Sequence, residues 1–383
     1  MNSYLKKKSM DINRIENIYT GTLRPRHARF NNLAKEVVSS LNIEFSTKYP
    51  SYLDRLKINL NTKLVGYRKY NNQIKEKTLA IVHHALPQTS SKFLLEIDLP
   101  MSLNNYDILN HRRSWKEVRN KLESEECKGI IVFSEWAKRN LILHYGPKIN
   151  KKTFVLYPPA YSNLLDFNLK NKNIDFTFIA TQFLMKGGYQ VLEAFNNLQK
   201  SGFNDINLTI VTRLNELKNI STDFKNNKNI KWIEANLNDE EITKLLKCSK
   251  CLLHPTLSDS FGVVVLEAMS QGCSIIASNM ASFPEMVSSE NGFLVNPPIA
   301  TSVNDTYITE FGNSKYFNSY LETLNLDNLT EEIFNNMKTL ISNPETTKSL
   351  MQGSLNKFSN KFSETVWIRN FKDILKKILE VHV

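Results

Sequence analysis

One carboxylate, Glu267, lies inside the apolar segment Val263 to Met269, whose composition is typical of a buried helix. A charged side chain in such a setting requires a hydrogen-bonding partner. The two oxygens of a carboxylate suit the vicinal 2′ and 3′ hydroxyls of a ribose, so the sequence predicts that Glu267 binds a ribose. A carboxylate satisfied by donors of the protein itself is the alternative.

A polar loop containing Ser258, Asp259 and Ser260 precedes this helix. We expect the side-chain oxygens of the loop to cap the free amide groups of the helix, and Phe261 and Gly262 to let the backbone approach a ligand closely. Because a helix N-terminus carries unpaired N–H donors and a partial positive charge, we predict a phosphate site there. Asp259 could accept hydrogen bonds from a sugar attached to a diphosphate, or could serve only as a helix cap.

A lysine and two glycines follow the first predicted strand of the second half, in the sequence Phe183-Leu-Met-Lys186-Gly187-Gly188. The ammonium of Lys186 is a mobile point charge that can pair with a diphosphate, and the glycines allow close backbone approach. No G-x-G triplet occurs in the chain, which argues against the usual dinucleotide-binding fingerprint.

The first half offers two further groups of candidates. Basic residues follow its first predicted strand, where α/β domains bind ligands, and are candidates for an anionic acceptor or are simply solvated surface: Arg24, Arg26, His27 and Arg29. His83 and His84 directly follow the short apolar strand Thr78 to Val82, at the edge where ligands bind. Since the histidine pKa is near neutral, one of the pair is a candidate to share a proton with a ligand, while the other faces the protein.

Two carboxylates, Glu96 and Asp98, are secondary candidates on one face of a predicted edge strand. An exposed strand in which polar and apolar residues alternate explains that pattern equally well. The segment from Ile43 to Asn72 lacks a clear period, and we interpret it as helical.

Charge is divided unevenly along the 383 residues, with 28 Lys and Arg against 14 Asp and Glu in residues 1–157, and 21 against 24 thereafter. The basic half predicts contact with a polyanion, either an anionic membrane surface, a lipid-phosphate acceptor or nucleic acid, although a solvated surface would look the same. No nucleic-acid-reading motif is recognisable, so we expect no nucleic-acid partner.

The sequence contains no long apolar run and no apolar signal core near its start, so we expect a cytoplasmic protein that is neither exported nor membrane-spanning. Its four cysteines are too few for a disulfide framework, and the single CxxC pair lacks further zinc ligands. We therefore expect free thiols and no metal.

Strand and helix patterns alternate along both halves, which predicts an α/β protein with parallel sheets covered by helices. A Pro-Pro segment at Pro158 and the change in charge balance place the domain boundary near residue 160. We predict an N-terminal domain at residues 1–160 and a donor domain at residues 161–365, with an irregular insertion at residues 299–326. A last helix at residues 366–383 is predicted to cross back to the N-terminal domain.

Five short motifs follow one another in the second half: Pro255-Thr-Leu-Ser-Asp-Ser-Phe-Gly262, Glu267-Ala-Met, Gly272-Cys-Ser-Ile-Ile-Ala277, Pro284-Glu-Met-Val287 and Asn291-Gly-Phe-Leu-Val. In this order they resemble the donor domain of family 4 glycosyltransferases. Together with Lys186-Gly-Gly and the C-terminal helices, the resemblance covers roughly residues 150–383. Over the first half the similarity is only architectural.

The resemblance implies the GT-B fold, in which two Rossmann-like domains face a cleft and C-terminal helices pack back toward the N-terminal domain. The C-terminal domain would hold a nucleoside diphosphate (NDP) sugar and the N-terminal domain the acceptor, with no metal or other cofactor. By motif position, Glu267 resembles the ribose-binding glutamate and Asp259 the sugar-contacting acid. Lys186 resembles the diphosphate lysine, and His83 or His84 the cleft histidine. The remaining donor-binding candidates are Ser258, Phe261, Gly262, Gly187 and Thr181.

Three positions depart from the family pattern. Asp259 stands where a glutamate is usual and is one methylene shorter, which would retract its contact with the donor sugar. Thr181 stands where many members carry an arginine, so Lys186 would carry more of the diphosphate binding. The first N-terminal loop has Gly21 alone instead of a glycine pair.

These features predict a retaining hexosyltransferase of polysaccharide biosynthesis, peripheral on the inner face of the cell membrane. It would move a hexose from an NDP-sugar to a glycan or lipid-linked saccharide acceptor. Two alternatives stay open: a sugar-nucleotide epimerase of the same fold, and a catalytically degenerate partner subunit, which Asp259 and Thr181 would suit.

Overall fold

A computed structural model describes residues 15–21, 27–47, 62–70, 77–87, 91–160, 172–298, 302–303, 306–307, 320–321 and 323–380. The chain forms two compact units. The first comprises Met1–Pro159, Ser302–Asn313 and Glu364–Val383, and the second Ala160–Thr301 and Ser314–Ser363. The described residues 302–303 and 306–307, within the predicted insertion at residues 299–326, belong to the first unit.

The first unit contains a six-stranded parallel sheet in the order β2-β1-β4-β6-β7-β8. Short strands β3 and β5 pair outside it, as do β15 and β16. Its strands are β1 (Asn17–Gly21), β2 (Glu44–Thr47), β3 (Lys69–Tyr70), β4 (Thr78–His83), β5 (Leu86–Pro87), β6 (Phe93–Ile97), β7 (Cys127–Val132), β8 (Thr153–Val155), β15 (Ser302–Val303) and β16 (Thr306–Tyr307). Its helices are α1 (His27–Ser39), α2 (Ile108–Glu123), α3 (Glu135–Tyr145) and α11 (Glu364–Glu380).

Two expectations for the first unit are wrong. Strand β6 is not an edge strand, because β4 and β7 flank it and all five of its residues are buried. Residues Glu44–Thr47, which we interpreted as helical, form the edge strand β2. Only one of these four residues is even partly buried, so no run of apolar side chains marks the strand.

The last helix, α11, packs against α1 within the core of the first unit. The ring of Phe30 on α1 lies edge-on to Trp367 and Phe371 on α11, with centroid distances of 5.2 and 5.6 Å. Edge-to-face contacts of this kind add to the stabilisation from buried apolar area. The two ends of the described chain thus contribute to one core.

The second unit contains another six-stranded parallel sheet, in the order β11-β10-β9-β12-β13-β14. This is the α/β fold class predicted from the alternating strand and helix patterns. The strands are β9 (Ile174–Ile179), β10 (Leu208–Thr212), β11 (Ile230–Glu234), β12 (Ser249–His254), β13 (Ser274–Ser278) and β14 (Gly292–Val295). The helices are α4 (Gly188–Lys200), α5 (Thr222–Asn226), α6 (Asp239–Cys248), α7 (Val263–Ser270), α8 (Phe283–Met286), α9 (Asp327–Ser342) and α10 (Pro344–Lys361).

Each sheet reverses its strand order once. In the second unit β9 lies between β10 and β12, and in the first β1 lies between β2 and β4. Loops that leave the carboxyl ends of two such strands diverge to opposite faces of the sheet and leave a crevice, which is where open α/β sheets bind ligands. The loops after β9 and β12, and those after β1 and β4, are therefore the candidate ligand-binding loops. None of the described helices is both long and apolar enough to cross a membrane.

Candidate functional site

The crevice of the second unit brings Lys186 and Asp259 together. Lys186 lies in the loop after β9 and Asp259 in the loop after β12, and the Lys186 Nζ donates to Asp259 Oδ2 at 2.7 Å and to the carbonyl of Ser258 at 2.6 Å. The side chains are only 17% and 15% exposed. Both residues were predicted to be part of the site, but their ion pair was not.

Asp259 is surrounded by donors. Its Oδ1 accepts from the backbone N–H of Ser260 at 2.8 Å and of Phe261 at 3.3 Å, while His254 Nε2 lies 3.1 Å from Oδ2. Burial acts to raise the pKa of Asp259, but the charge of Lys186 and the hydrogen bonds outweigh it and hold the pKa well below its usual range. Asp259 is therefore a carboxylate at neutral pH.

His254, at the end of β12, is buried, and burial lowers its pKa. The imidazole is accordingly neutral near pH 7 and contributes a hydrogen bond to Asp259 instead of a second positive charge. Its ring also packs against Phe283, with ring centroids 5.3 Å apart. The sequence pattern gave no indication of this contact.

Helix α7 begins at Val263, and its N-cap residue is Gly262, at φ 76°, which has no side chain to cap the helix. Asp259 does not cap the helix as expected, because its carboxylate accepts from the amides of Ser260 and Phe261 in the loop just before it. A Cβ on Gly262 would lie 2.4 Å from the ring of Phe283. The absence of a side chain on Gly262 therefore lets the ring of Phe283 pack against the backbone at the start of this eight-residue helix, whose first amides are the candidate anion site.

The other donor candidates lie on the segments that follow β9 and β12. Glu267 is half-buried on α7, one turn beyond Val263, and Phe261 and Ser258 are buried in the loop before the helix. Thr181 is exposed in the loop after β9. The second unit therefore places one ammonium, one helix start and two carboxylates around the carboxyl ends of β9 and β12.

Gly187 fixes the position of Lys186. Its φ is +76°, and a Cβ there would lie 2.2 Å from the carbonyl oxygen of Pro255 in the facing loop. Only glycine fits such a left-handed residue in contact with another backbone. The amide of Leu257 also donates to the carbonyl of Met185 at 3.0 Å, which links the two loops directly.

We expect Gly187→Ala to displace the Lys186 loop. It should lower the free energy of unfolding by more than about 3 kcal/mol and weaken NDP binding at least tenfold, because strain at φ is combined with a backbone clash. Gly202→Ala is the matched control, since Gly202 has φ +98° but no atom lies within 4 Å of its Cβ position. Urea denaturation and calorimetric titration with NDP would test this, and equal losses in the two variants would contradict it.

In the first unit the two histidines pair with Glu96 on β6 and with Asp98 just after it. His83 Nδ1 contacts Glu96 Oε2, and His83 Nε2 lies 3.1 Å from the hydroxyl of Thr20 at the end of β1. His84 Nδ1 lies 3.5 Å from Asp98 Oδ1. Glu96 and Asp98 are thus inward-facing carboxylates, each placed opposite one histidine.

These two histidines differ in their surroundings. His83 is buried, and the Thr20 hydroxyl beside it donates to Asn31 at 3.0 Å, so His83 is part of an interior network. His84 is half-buried, with φ 51°, just after β4, and burial lowers its pKa although Asp98 opposes the shift. Thr20 and Asn31 were missed in the sequence, because only the strand order brings them to His83.

The predicted anion-binding residues after β1 lie partly outside the described residues. Arg24 and Arg26 are not described, while His27 and Arg29 occupy the first turn of α1. All four cysteines are free thiols. Within the described ranges there is no cluster of three or more His, Cys, Asp or Glu residues able to hold a metal ion.

Comparison with known families gives one match. Residues 165–313 match the family model of glycosyl transferases group 1. The matched region contains β9, β12 and α7 and therefore Lys186, Asp259 and Glu267. Comparison with curated protein sequences gives no match.

Solved structures show the same fold over nearly the whole chain. Anabaena Alr3699/HepE, solved in complex with UDP and glucose, aligns with a TM-score of 0.61 at 14% identity, covering 94% of this chain and 100% of that one. The sucrose-phosphate synthase of Thermosynechococcus elongatus aligns with a TM-score of 0.62 at 10% identity, covering 96% and 100%. WaaG, a glycosyltransferase of lipopolysaccharide biosynthesis, aligns with a TM-score of 0.59 at 10% identity, covering 94% and 99%. The shared architecture is that of GT-B glycosyltransferases.

Proposed function

We propose that this chain is a retaining glycosyltransferase of family 4 that moves a hexose from an NDP-sugar to a glycan or lipid-linked saccharide acceptor at the cytoplasmic membrane surface. The observation that carries the proposal is that Lys186, the start of α7 and Glu267 converge on the loops and helix that follow β9 and β12, where the strand order of the sheet reverses. This convergence lies within the region that matches the group 1 model. UDP-bound neighbours such as Alr3699/HepE make UDP the first nucleotide to try.

The diphosphate would lie between Lys186 and the start of α7. An ammonium has three N–H donors, of which Ser258 and Asp259 each accept one, and the third would bind a phosphate oxygen. When the bond between the anomeric carbon and the diphosphate breaks, its electron pair leaves with the diphosphate. Lys186 and the first amides of α7 stabilise that negative charge, which is where electrostatic catalysis contributes most.

The other residues hold the donor in place. Glu267 would accept hydrogen bonds from the two ribose hydroxyls, and Asp259 would orient the Lys186 ammonium and face the transferred sugar. The acceptor hydroxyl would bond to the anomeric carbon and pass its proton to an oxygen of the departing diphosphate. The scheme requires no metal or other cofactor.

Incubation of the purified chain with a panel of UDP- and GDP-sugars tests the proposal. At least one NDP-sugar should raise the melting temperature in a concentration-dependent way, and its slow hydrolysis should continue in the presence of EDTA. With an accepted saccharide, NMR of the product should show the anomeric configuration of the donor. An NDP-sugar that changes identity without any acceptor would indicate an epimerase, and a chain that binds no NDP would lack the donor site.

A further inference from the structure

The two most exposed large apolar side chains among the described residues lie in the first unit. Leu64 is 74% exposed and Leu109 is 72% exposed. Leu64 lies in a helical turn at residues 62–65, and Leu109 lies in the first turn of α2. The side chain of Arg113 on α2 joins the two segments, because its Nη2 donates to the carbonyl of Lys63 at 2.7 Å.

Cations surround both leucines. Leu109, Arg112, Arg113 and Lys116 are spaced at i, i+3, i+4 and i+7 on α2, so they share one face of the helix, and all four are exposed. Lys63 is exposed beside Leu64. We call the set of Lys63, Leu64, Leu109, Arg112, Arg113 and Lys116 the leucine face.

Two acids lie beside the leucine face, and one of them, Asp107, is the N-cap residue of α2, where its carboxylate accepts from the amide of Asn110. The other, Glu117, accepts a hydrogen bond from the hydroxyl of Tyr67 at 2.6 Å and lies 4.0 Å from the Nζ of Lys69. Its carboxylate is therefore directed to Tyr67 and Lys69, and the leucine face carries four positive charges beside two exposed leucines.

This combination fits one kind of partner. Cations near an anionic bilayer are attracted by its negative surface potential, and aliphatic side chains gain free energy when they leave water for the acyl boundary. A nucleic acid would use the cations but would gain little from two leucines, because its recognition uses phosphate contacts and aromatic stacking. A bilayer with anionic headgroups can interact with both the cations and the two leucines.

We propose that the leucine face docks the protein on anionic lipid bilayers, with Leu64 and Leu109 inserted among the headgroups and the four cations beside lipid phosphates. The proposal deepens the membrane-surface part of the proposed function by naming the surface and the lipid class. It does not depend on which sugar is transferred.

Flotation with lipid vesicles tests the leucine face. The wild type should float with phosphatidylcholine vesicles that contain phosphatidylglycerol and remain at the bottom with pure phosphatidylcholine. Leu64→Ser/Leu109→Ser and Arg112→Glu/Lys116→Glu should each reduce the partition coefficient by about tenfold or more. The charge reversal should also remove most of the dependence on salt.

Two control variants make the same kinds of substitution at exposed residues outside the leucine face. Leu143→Ser removes a leucine of the same unit that is 58% exposed, and Lys218→Glu/Lys348→Glu reverses two exposed lysines of the second unit. Both controls should float like the wild type. Equal flotation with neutral and anionic vesicles, or equal losses in test and control variants, would overturn the proposal.

UDP binding by the wild type and the leucine-face variants distinguishes membrane docking from the proposed transferase function. Calorimetric titration with UDP should give the same affinity for the wild type and for both leucine-face variants, because none of the changed residues lies in the second unit. Loss of flotation with retained UDP binding is the expected result. If the wild type fails to float but binds UDP, the leucine face is not a membrane surface, although the donor site stands. If single-stranded RNA binds through Arg112 and Lys116 while the leucine substitutions have no effect, the partner is a nucleic acid.

Discussion

Glu267→Ala is expected to lower the affinity for NDP by at least about 100-fold. A hydrogen bond to a charged group contributes about 1.5–3 kcal/mol, and the proposed ribose contact contains two of them. Glu267 is half-buried on α7, so water cannot fully replace its carboxylate. Isothermal titration calorimetry with UDP and GDP measures the effect directly.

Two further variants keep this result interpretable. Glu193 is a half-buried glutamate on α4 of the same unit, and Glu193→Ala should leave NDP affinity unchanged. Glu267→Gln should give an intermediate loss, because its amide retains one acceptor oxygen. If Glu267→Ala binds NDP as tightly as the wild type, the ribose assignment is wrong.

Lys186→Met is expected to reduce kcat by about 100- to 1,000-fold, as expected for removal of one preorganised charge at the leaving group. It should also destabilise the second unit by about 3–5 kcal/mol, because Asp259 would remain as a buried carboxylate without its cation. Adding Asp259→Asn to Lys186→Met removes that charge. The double variant should recover most of the lost stability and none of the activity.

The pH dependence of stability separates the two contributions. In the wild type the pKa of Asp259 is lower in the folded chain than the value of about 3.9 expected when unfolded, so its contribution is present above about pH 4 and is lost as the pH falls further. Without Lys186 burial dominates and raises the folded pKa of Asp259. The stability of Lys186→Met should then decrease as the pH rises above 4, which urea denaturation from pH 4 to pH 7 would detect. An unchanged pH profile would show that the ion pair contributes nothing.

The elements of the second unit were predictable because parallel strands buried on both faces are continuous apolar runs. Strand β12 coincides with such a run, and helix α7 coincides with another continuous apolar segment. Strand β2 was not predictable, since its residues are mostly exposed and its structure depends on pairing with β1. The local sequence pattern predicts an element whose own side chains are largely buried. It fails for an element that is stabilised mainly by pairing with a neighbouring strand.

The candidate site was likewise predictable only in part. Lys186 and Asp259 could be selected from their types and their positions beside glycines and a helix start. Their ion pair could not, because it depends on β9 lying next to β12, with two other strands between them in the sequence. The contact of His83 with Glu96 was hidden for the same reason, since it required β6 to be an interior strand beside β4.

The packing of α11 against α1 has a consequence for synthesis on the ribosome. The core around Phe30 is incomplete until Trp367 and Phe371 have been translated, whereas every residue of the second unit precedes them. The second unit can therefore finish folding while the first still lacks a helix, although most of the first unit emerges earlier. Nascent chains of the first unit would expose the apolar surface of α1 during this interval, which is the period when a chaperone would be needed.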